Sequence, residues 1–286
     1  MRRKGITLAI LLASRLLAAQ QHAAQGMVLK SDPAHHTIIV SCDKVPGYMP
    51  AMDMPFSVND RHAFSWLKPG SLIRFTIVDS GKFPKAEKIQ QVVNFEPEPA
   101  DAGGLSALTT SIHPPSAKPL DVGKHVPDFS LNDQAGKAIR LSDFHGKVVA
   151  LTFGYSRCPY PTYCLRLSHN LEQVERRFHS MAGRDLVLIT IAIDPEYDKG
   201  PVLADYARSF HADPAVWHFL TGPLKDVQAV SAQFGMNFWR SEGQLTHTLH
   251  TVVIDREGRL AANVDGNQFT PGQLGDLVES VMTRSN

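Results

Sequence analysis

Apolar residues follow two regimes along this chain. Between residues 37 and 78 they come in short runs: "TIIVSC" (37–42), "MDMPFSV" (52–58) and "SLIRFTIV" (71–78), with "KPG" (68–70) before the last. β-Branched and aromatic residues bounded by Gly and Pro predict strands and a turn here. Alternation puts Met52, Met54 and Phe56 on one face of their strand. From residue 147 the pattern changes. "KVVALTFGYS" (147–156) and "DLVLITIAID" (185–194) are continuous apolar runs that predict buried strands. "LRLSHNLEQVERRF" (165–178), with Leu165, Leu167, Leu171 and Val174 as inner positions, predicts a helix, as does "PVLADYARSF" (201–210). "HTVVIDREGRL" (250–260) predicts a strand and a turn. Strands alternating with helices predict an α/β sheet with helices on its faces.

Residues 96–121 are rich in Pro, Ala, Ser and Gly, cannot bury a core, and read as a linker. The predicted organisation is therefore a leader (1–25), a small all-β module (26–95), the linker (96–121) and an α/β module (122–286). Several short strands in so small a module suggest an OB-like barrel. In the larger one, a strand, a loop with cysteines and a helix follow one another in the thioredoxin-like arrangement. The leader places Arg2, Arg3 and Lys4 before the apolar run Ile6–Ala13, then alanine-rich sequence. This layout predicts a secretory signal, a mature chain starting between residues 18 and 27, and an exported, periplasmic protein. Arg15 interrupts the run, so a basic, non-secretory N-terminus is the alternative. No other segment approaches the ~20 apolar residues that cross a bilayer, so membrane contact is expected only through an uncleaved signal. With a net charge of +1, the chain gives no reason to expect a nucleic-acid partner.

Three cysteines, Cys42, Cys158 and Cys164, are too few for a disulfide scaffold. Cys158 lies just past a predicted strand and Cys164 at the start of the following helix. Helix N-terminal amides and Arg157 favour thiolate there. Pro159 and Pro161 are expected to delay the helix and leave a loop that brings the two sulfurs together. A plain disulfide, thiol–disulfide exchange and a metal site all remain open on these residues. Two thiolates with an imidazole would suit Cu(I), and a thiolate-rich site also holds Cu(II). Structural zinc would call for four protein ligands.

The stretch "VGKHVPDFSLNDQAGKAIRLSDFHGKVVALTFGYSRCPYPTYC", followed by "IDPEYD" (193–198) and "THTLHTVVIDREG" (246–258), resembles the Sco/SenC family of copper proteins. The resemblance implies a thioredoxin-like fold, copper held by two cysteines and one histidine, and a role in assembling the binuclear copper centre of cytochrome c oxidase. It assigns Cys158 and Cys164 as ligands. His247, eleven residues before Gly258, is the expected third ligand in preference to His250. Asp194 is either an outer partner of the site or a cap for the turn before Pro195. The chain departs from the commoner family motif in having five residues, not three, between its cysteines. If the protein is instead an oxidoreductase, Cys158 and Cys164 are its redox pair. Against that, Leu249, His250 and Thr251 include no proline where general exchangers carry one.

"GMVLKSDPAHHTIIVSCD", "PAMDMPF" and "LKPGSLIRFTIV" resemble the CusF-type periplasmic copper-binding domain. That family binds Cu(I) through a histidine and two methionines under an aromatic ring. Met52 and Met54 match its methionines, Cys42 falls at its histidine and Met49 near its aromatic position. His35 and His36 sit in a turn and are expected to be solvated. A methionine-lined core is the alternative. Together the two resemblances imply an exported copper carrier that delivers to a client such as an oxidase subunit. The alternative is an oxidoreductase that keeps the client's copper-binding cysteines reduced.

Overall fold

The computed structural model describes residues 21–79, 83–92, 118–241 and 244–284. The leader up to residue 20 and the linker between 96 and 117 lie outside the described residues.

Five strands close into a barrel: β1 (Gln21–Asp32), β2 (Thr37–Cys42), β3 (Met52–Ser57), β4 (Leu72–Val78) and β5 (Lys85–Gln91), in the order β1-β2-β3-β5-β4. The three strands predicted from the apolar runs are β2, β3 and β4. β1 was hidden because it serves two neighbours. Its first half, Gln21–Met27, pairs with β4, and Gly26–Asp32 pairs with β2, with a bulge between Val28 and Lys30. The barrel therefore begins at Gln21, inside the segment assigned to the leader. The stretch Gln21–Gln25 has little apolar character, and it is ladder hydrogen bonding to β4 that makes it a strand. β5 was also silent: Ala86 is its only buried residue.

The second module holds a five-stranded sheet between two apolar layers. Its strands are β8 (Val148–Gly154), β9 (Leu186–Ala192), β10 (Trp217–Leu220), β13 (His250–Ile254) and β14 (Leu260–Asp265), in the order β10-β9-β8-β13-β14. A hairpin of β6 (Ser130–Asn132) and β7 (Ala138–Arg140) precedes them, and one of β11 (Phe238–Ser241) and β12 (Gln244–His247) lies before β13. The helices are α1 (Arg166–Arg177), α2 (Gly200–Ser209), α3 (Leu224–Gln233) and α4 (Pro271–Met282). Every residue of β8 and β9 is buried, because alternate side chains enter opposite layers. Ala150 and Leu188 pack with Leu171 and Val174 of α1 and Leu277 of α4. Leu151 and Ile189 pack with Val227 and Val230 of α3. Full burial of residues such as Leu171 stabilises by about 1.5–3 kcal/mol each.

β8 and β9 run parallel, while β13 is antiparallel to β8 with Thr251 opposite Thr152. The ends of β8 and β9 and the start of β13 consequently share one sheet edge. Residues 155–164, Asp194 and His247 are delivered to that edge from three distant parts of the sequence.

The barrel and the α/β module also touch directly, which the linker pattern did not predict. Met27, Leu29, Leu72 and Val92 share an apolar cluster with Leu274, Leu277, Val278 and Val281 of α4. Ser41 Oγ donates to Asp276 Oδ2 at 2.6 Å, and Gln273 Nε2 donates to Asp43 Oδ1 at 3.0 Å. Gln273 also completes the capping box of α4: Thr270 Oγ1 accepts from its backbone N–H, and its Oε1 accepts from the Thr270 N–H. One side chain thus fixes both the start of α4 and the barrel against it. Gly70, in the predicted KPG turn, has φ +93 and passes so close to β14 that a Cβ would lie 3.2 Å from Asn263 O.

Candidate metal centre

The chain after β8 does not form the open loop expected up to Cys164. Residues Pro161–Leu165 make a wide π-helical turn that runs into α1. Pro161 sits at its first position, where a missing N–H goes unnoticed. The Arg166 N–H reaches back to Pro161 O, and Asn267 Nδ2 pins the turn by donating to Thr162 O at 2.7 Å. Pro161 therefore opens the turn, while Pro159 lies in the non-helical stretch before it and α1 begins only at Arg166. Cys164 is carried inward by the turn and is buried, while Cys158, before it, is half-buried.

The Cys158 and Cys164 Sγ atoms and a ring nitrogen of His247 lie within 4.8 Å of one another. His250 is not part of this group: its Nδ1 is 3.0 Å from Asn263 Oδ1, on the neighbouring strand β14. His247 stands at the end of β12. Its Nδ1 is 2.8 Å from Thr248 O. A carbonyl can only accept, so Nδ1 donates to it and Nε2 is the ring nitrogen turned to the sulfurs. That Nε2 is 3.7 Å from Cys164 Sγ. Tyr155 stands beside the ring edge-on, centroids 5.7 Å apart, and its hydroxyl donates to Leu245 O at 3.4 Å.

The two thiols differ electrostatically. Hydrogen bonds from Cys164 and His247 stabilise the Cys158 thiolate and lower its pKa to about 4, against the opposing effect of burial. Cys164 moves the other way: donating to Cys158 and being buried both hold its proton on. The sequence predicted two thiolate-prone sulfurs. The structure instead gives one thiolate and one thiol, because the hydrogen bond between the two sulfurs leaves the proton on Cys164 and two negative sulfurs this close repel.

Asp194, 2% exposed, ends its segment at the same edge. Its carboxylate accepts from Arg157 at 2.5 Å and from Arg240 at 2.8 Å, so it is spoken for by two guanidinium groups rather than turned to the sulfurs. Its backbone carbonyl caps the following turn by accepting from Asp198 N–H at 2.8 Å. Sequence reasoning missed Arg240, which lies in no motif, and Tyr155, which lies inside the cysteine stretch but carries no metal-binding chemistry to single it out.

In the barrel, Cys42 faces Met52 and Val40 faces Met54 across the β2–β3 ladder. Cys42 and Met49 are buried in one apolar cluster, against which Met54 packs. Met52 is 47% exposed at the strand's start. Burial, then the charges of Asp43 and Asp53, push the Cys42 thiol up to about 12. His35 is exposed and bonded to Asp32 through Nδ1 at 2.8 Å.

Fold and site define a thioredoxin-like protein with a dithiol–imidazole centre, joined to a β-barrel. The SCO1/SenC family model matches residues 117–283, more than half of the chain, and the chain belongs to that family. A second model, described as "Copper binding periplasmic protein CusF", matches residues 21–91. The human mitochondrial SCO2 homologue is 34% identical over 162 residues, covering 54% of this chain and 59% of its own length. The SCO2-like protein of Rickettsia typhi is 26% identical over 46% of this chain and 65% of its own. The matches thus span less than two thirds of either relative. Among solved structures, a SCO1/SenC family lipoprotein from Bacillus anthracis shares the fold, with a TM-score of 0.50 at 24% identity over 58% of this chain and 98% of that one.

Proposed function

We propose that the protein is an exported copper carrier, with copper held as Cu(I) by Cys158, Cys164 and His247. The observation that carries this reading is the convergence of two sulfurs and an imidazole nitrogen within 4.8 Å, a donor set that suits a soft monovalent ion. The thiol of Cys164 gives up its proton when metal binds. In this reading the barrel, of OB-like type, is a second copper site built from Cys42, Met52, Met54 and Met49. The carrier passes copper to a client protein, such as an oxidase subunit, by exchange of ligands. The leader supplies export.

The experiment is Cu(I) titration of the full chain under anaerobic, reducing conditions. His247→Ala is expected to lower copper affinity at the thioredoxin-like centre sharply while Cys158 and Cys164 still form a disulfide on oxidation. One observation favours a second reading, a thiol–disulfide oxidoreductase: the pairing of a thiolate at Cys158 with a protonated Cys164 matches an attacking and a resolving thiol. If His247→Ala binds copper normally yet fails to exchange disulfides with a client peptide, the oxidoreductase reading replaces the carrier.

The barrel site has its own test. Met52→Leu together with Met54→Leu preserves volume and apolarity, so it should cost less than about 1.5 kcal/mol per site in stability. The expected result is loss of barrel copper with the thermal transition nearly unmoved. Undiminished copper binding would mean that the methionines serve only as core.

A further inference from the structure

The turn that carries Cys164 is wider than an α-helical one, and its width leaves a carbonyl over. In Pro161–Leu165 the Arg166 N–H goes to Pro161 O and Tyr163 O and passes by Thr162 O, the carbonyl that an α-helical turn would use. Thr162 O accepts from Asn267 Nδ2 instead, at 2.7 Å, from 105 residues along the chain. Asn267 is fully buried, and the loop that carries it is held on both sides. Gly266 N–H donates to Leu249 O at 2.8 Å, two residues past His247. Phe269, also fully buried, has its carbonyl taken by Asn170 Nδ2 of α1 at 3.3 Å. Residues 266–270, between β14 and α4, therefore brace both parts of the ligand set: the turn that bears Cys164 and the chain just after His247.

Stability alone does not account for an asparagine at this position. Its Oδ1 is buried and has no hydrogen-bond partner among the described residues. An unpaired buried acceptor costs at least as much as one hydrogen bond returns. With an apolar side chain there, the turn could close in α-helical register, Arg166 N–H on Thr162 O, and leave no polar group over. What would be lost is the position of Cys164. α1 is fixed in the core by Leu167, Leu171 and Val174. Removing the extra residue of a π turn rotates what precedes it by about 100° around the helix axis. Cys164 lies within that turn, so its Sγ would leave the place it now holds 3.7 Å from His247 Nε2. The present fit is close on the sheet side as well: a Cβ on Gly154, the last residue of β8, would stand 3.8 Å from Cys164 Sγ.

We infer that Asn267 is a positioning residue for the dithiol–imidazole centre. By taking the spare carbonyl of the turn, it holds Pro161–Leu165 in π-helical register and keeps Cys164 Sγ turned to Cys158 and His247. It touches neither sulfur and acts only through Thr162. That this placement serves copper rests on the reading proposed above; that it brings the two sulfurs together does not.

The test uses the full chain carrying Met52→Leu and Met54→Leu as parent, compared with the same chain bearing Asn267→Leu, Asn267→Ala or Asn267→Gln. Leucine and alanine both remove the amide, the first at similar volume and the second with nothing to clash; glutamine keeps the donor. Four quantities are read: Cu(I) affinity in competition with a chromogenic Cu(I) chelator, the sulfur shell in copper X-ray absorption, the rate at which oxidised glutathione closes the Cys158–Cys164 disulfide in the metal-free chain, and the thermal transition. Outer partners of metal ligands typically govern about 10- to 100-fold in affinity. Asn267→Leu and Asn267→Ala are expected to lose affinity in that range, to move the sulfur shell from two atoms toward one and to close the disulfide more slowly. The thermal transition of Asn267→Leu is expected to stay nearly in place, and Asn267→Gln to recover part of each loss. Parent affinity, two sulfurs and parent disulfide closure in the leucine and alanine variants would overturn the inference, whatever their thermal transitions do, and leave the copper reading standing. A parent chain that binds no Cu(I) at the cysteines would overturn the copper reading, and disulfide closure then decides the role of Asn267.

Discussion

Replacing Cys158 with serine is expected to abolish copper binding at the thioredoxin-like centre, a larger loss than any change to its surroundings. Of the two sulfurs Cys158 is the one held as thiolate, with its pKa lowered to about 4 by hydrogen bonds from Cys164 and His247. It therefore supplies the negative charge that first meets a cation. A serine hydroxyl stays protonated and offers a hard oxygen to a soft ion. The affinity loss should exceed the roughly 100-fold ceiling typical of outer-partner changes. The side chain is half-buried and nearly isosteric, so the fold should persist. In the chain carrying Met52→Leu and Met54→Leu, anaerobic titration should then find no tight Cu(I) site. Retention of a tight site would show that Cys158 is not a ligand.

Gly26→Val is expected to be the most damaging single change in the barrel. Gly26 lies on β1 opposite Cys42. A Cβ there would fall 2.4 Å from Ser41 O, 2.6 Å from Val40 Cγ1 and 3.0 Å from Cys42 Cα. Two of these are backbone atoms, which cannot rotate away. Overpacking of this kind costs about 1–3 kcal/mol and occasionally more, and the upper end applies here. Ser41 also donates to Asp276, so displacing it strains the contact with α4 as well. Gly275→Ala is the control: its Cβ would meet Arg177 NH1 at 2.5 Å, the far end of a flexible side chain. Thermal unfolding should show a large fall for Gly26→Val and a small one for Gly275→Ala. An unmoved transition in Gly26→Val would mean that the strands are not this close.

Several elements could be read without coordinates. β2, β3, β4, β8, β9, α1 and α2 all come from apolar runs or helical spacing whose burial the fold requires. Of the four inner positions expected on α1, Leu167, Leu171 and Val174 are buried, while Leu165 is only partly so. β5 and the first half of β1, Gln21–Gln25, escaped notice because they are held mainly by ladder hydrogen bonds, which leave little trace in side-chain pattern, and the apolar run Met27–Leu29 alone is too short to mark a twelve-residue strand. The π-helical turn at Pro161–Leu165 escaped for a related reason. Proline forbids a donor at one position, but it does not say which wide or narrow turn its carbonyl will close. The choice of His247 over His250 came from the family resemblance, through the spacing its ligand keeps from a turn glycine, and the structure brings His247 to the two sulfurs while leaving His250 beside Asn263.

The sequence by itself determined the module order, the α/β character of the larger module and the cysteine pair, since periodicity and composition are local properties. Only the tertiary structure decided which groups share the site and in what charge state. β13 runs antiparallel to β8, and that brings a histidine 83 residues away to Cys164. Burial and proximity then divide the protons between Cys158 and Cys164, and Asp194 acquires two arginines that no motif links to it. The docking of the barrel on α4 is likewise invisible along the chain. Such contacts depend on distances between residues far apart in sequence, and those distances exist only once the layers have packed.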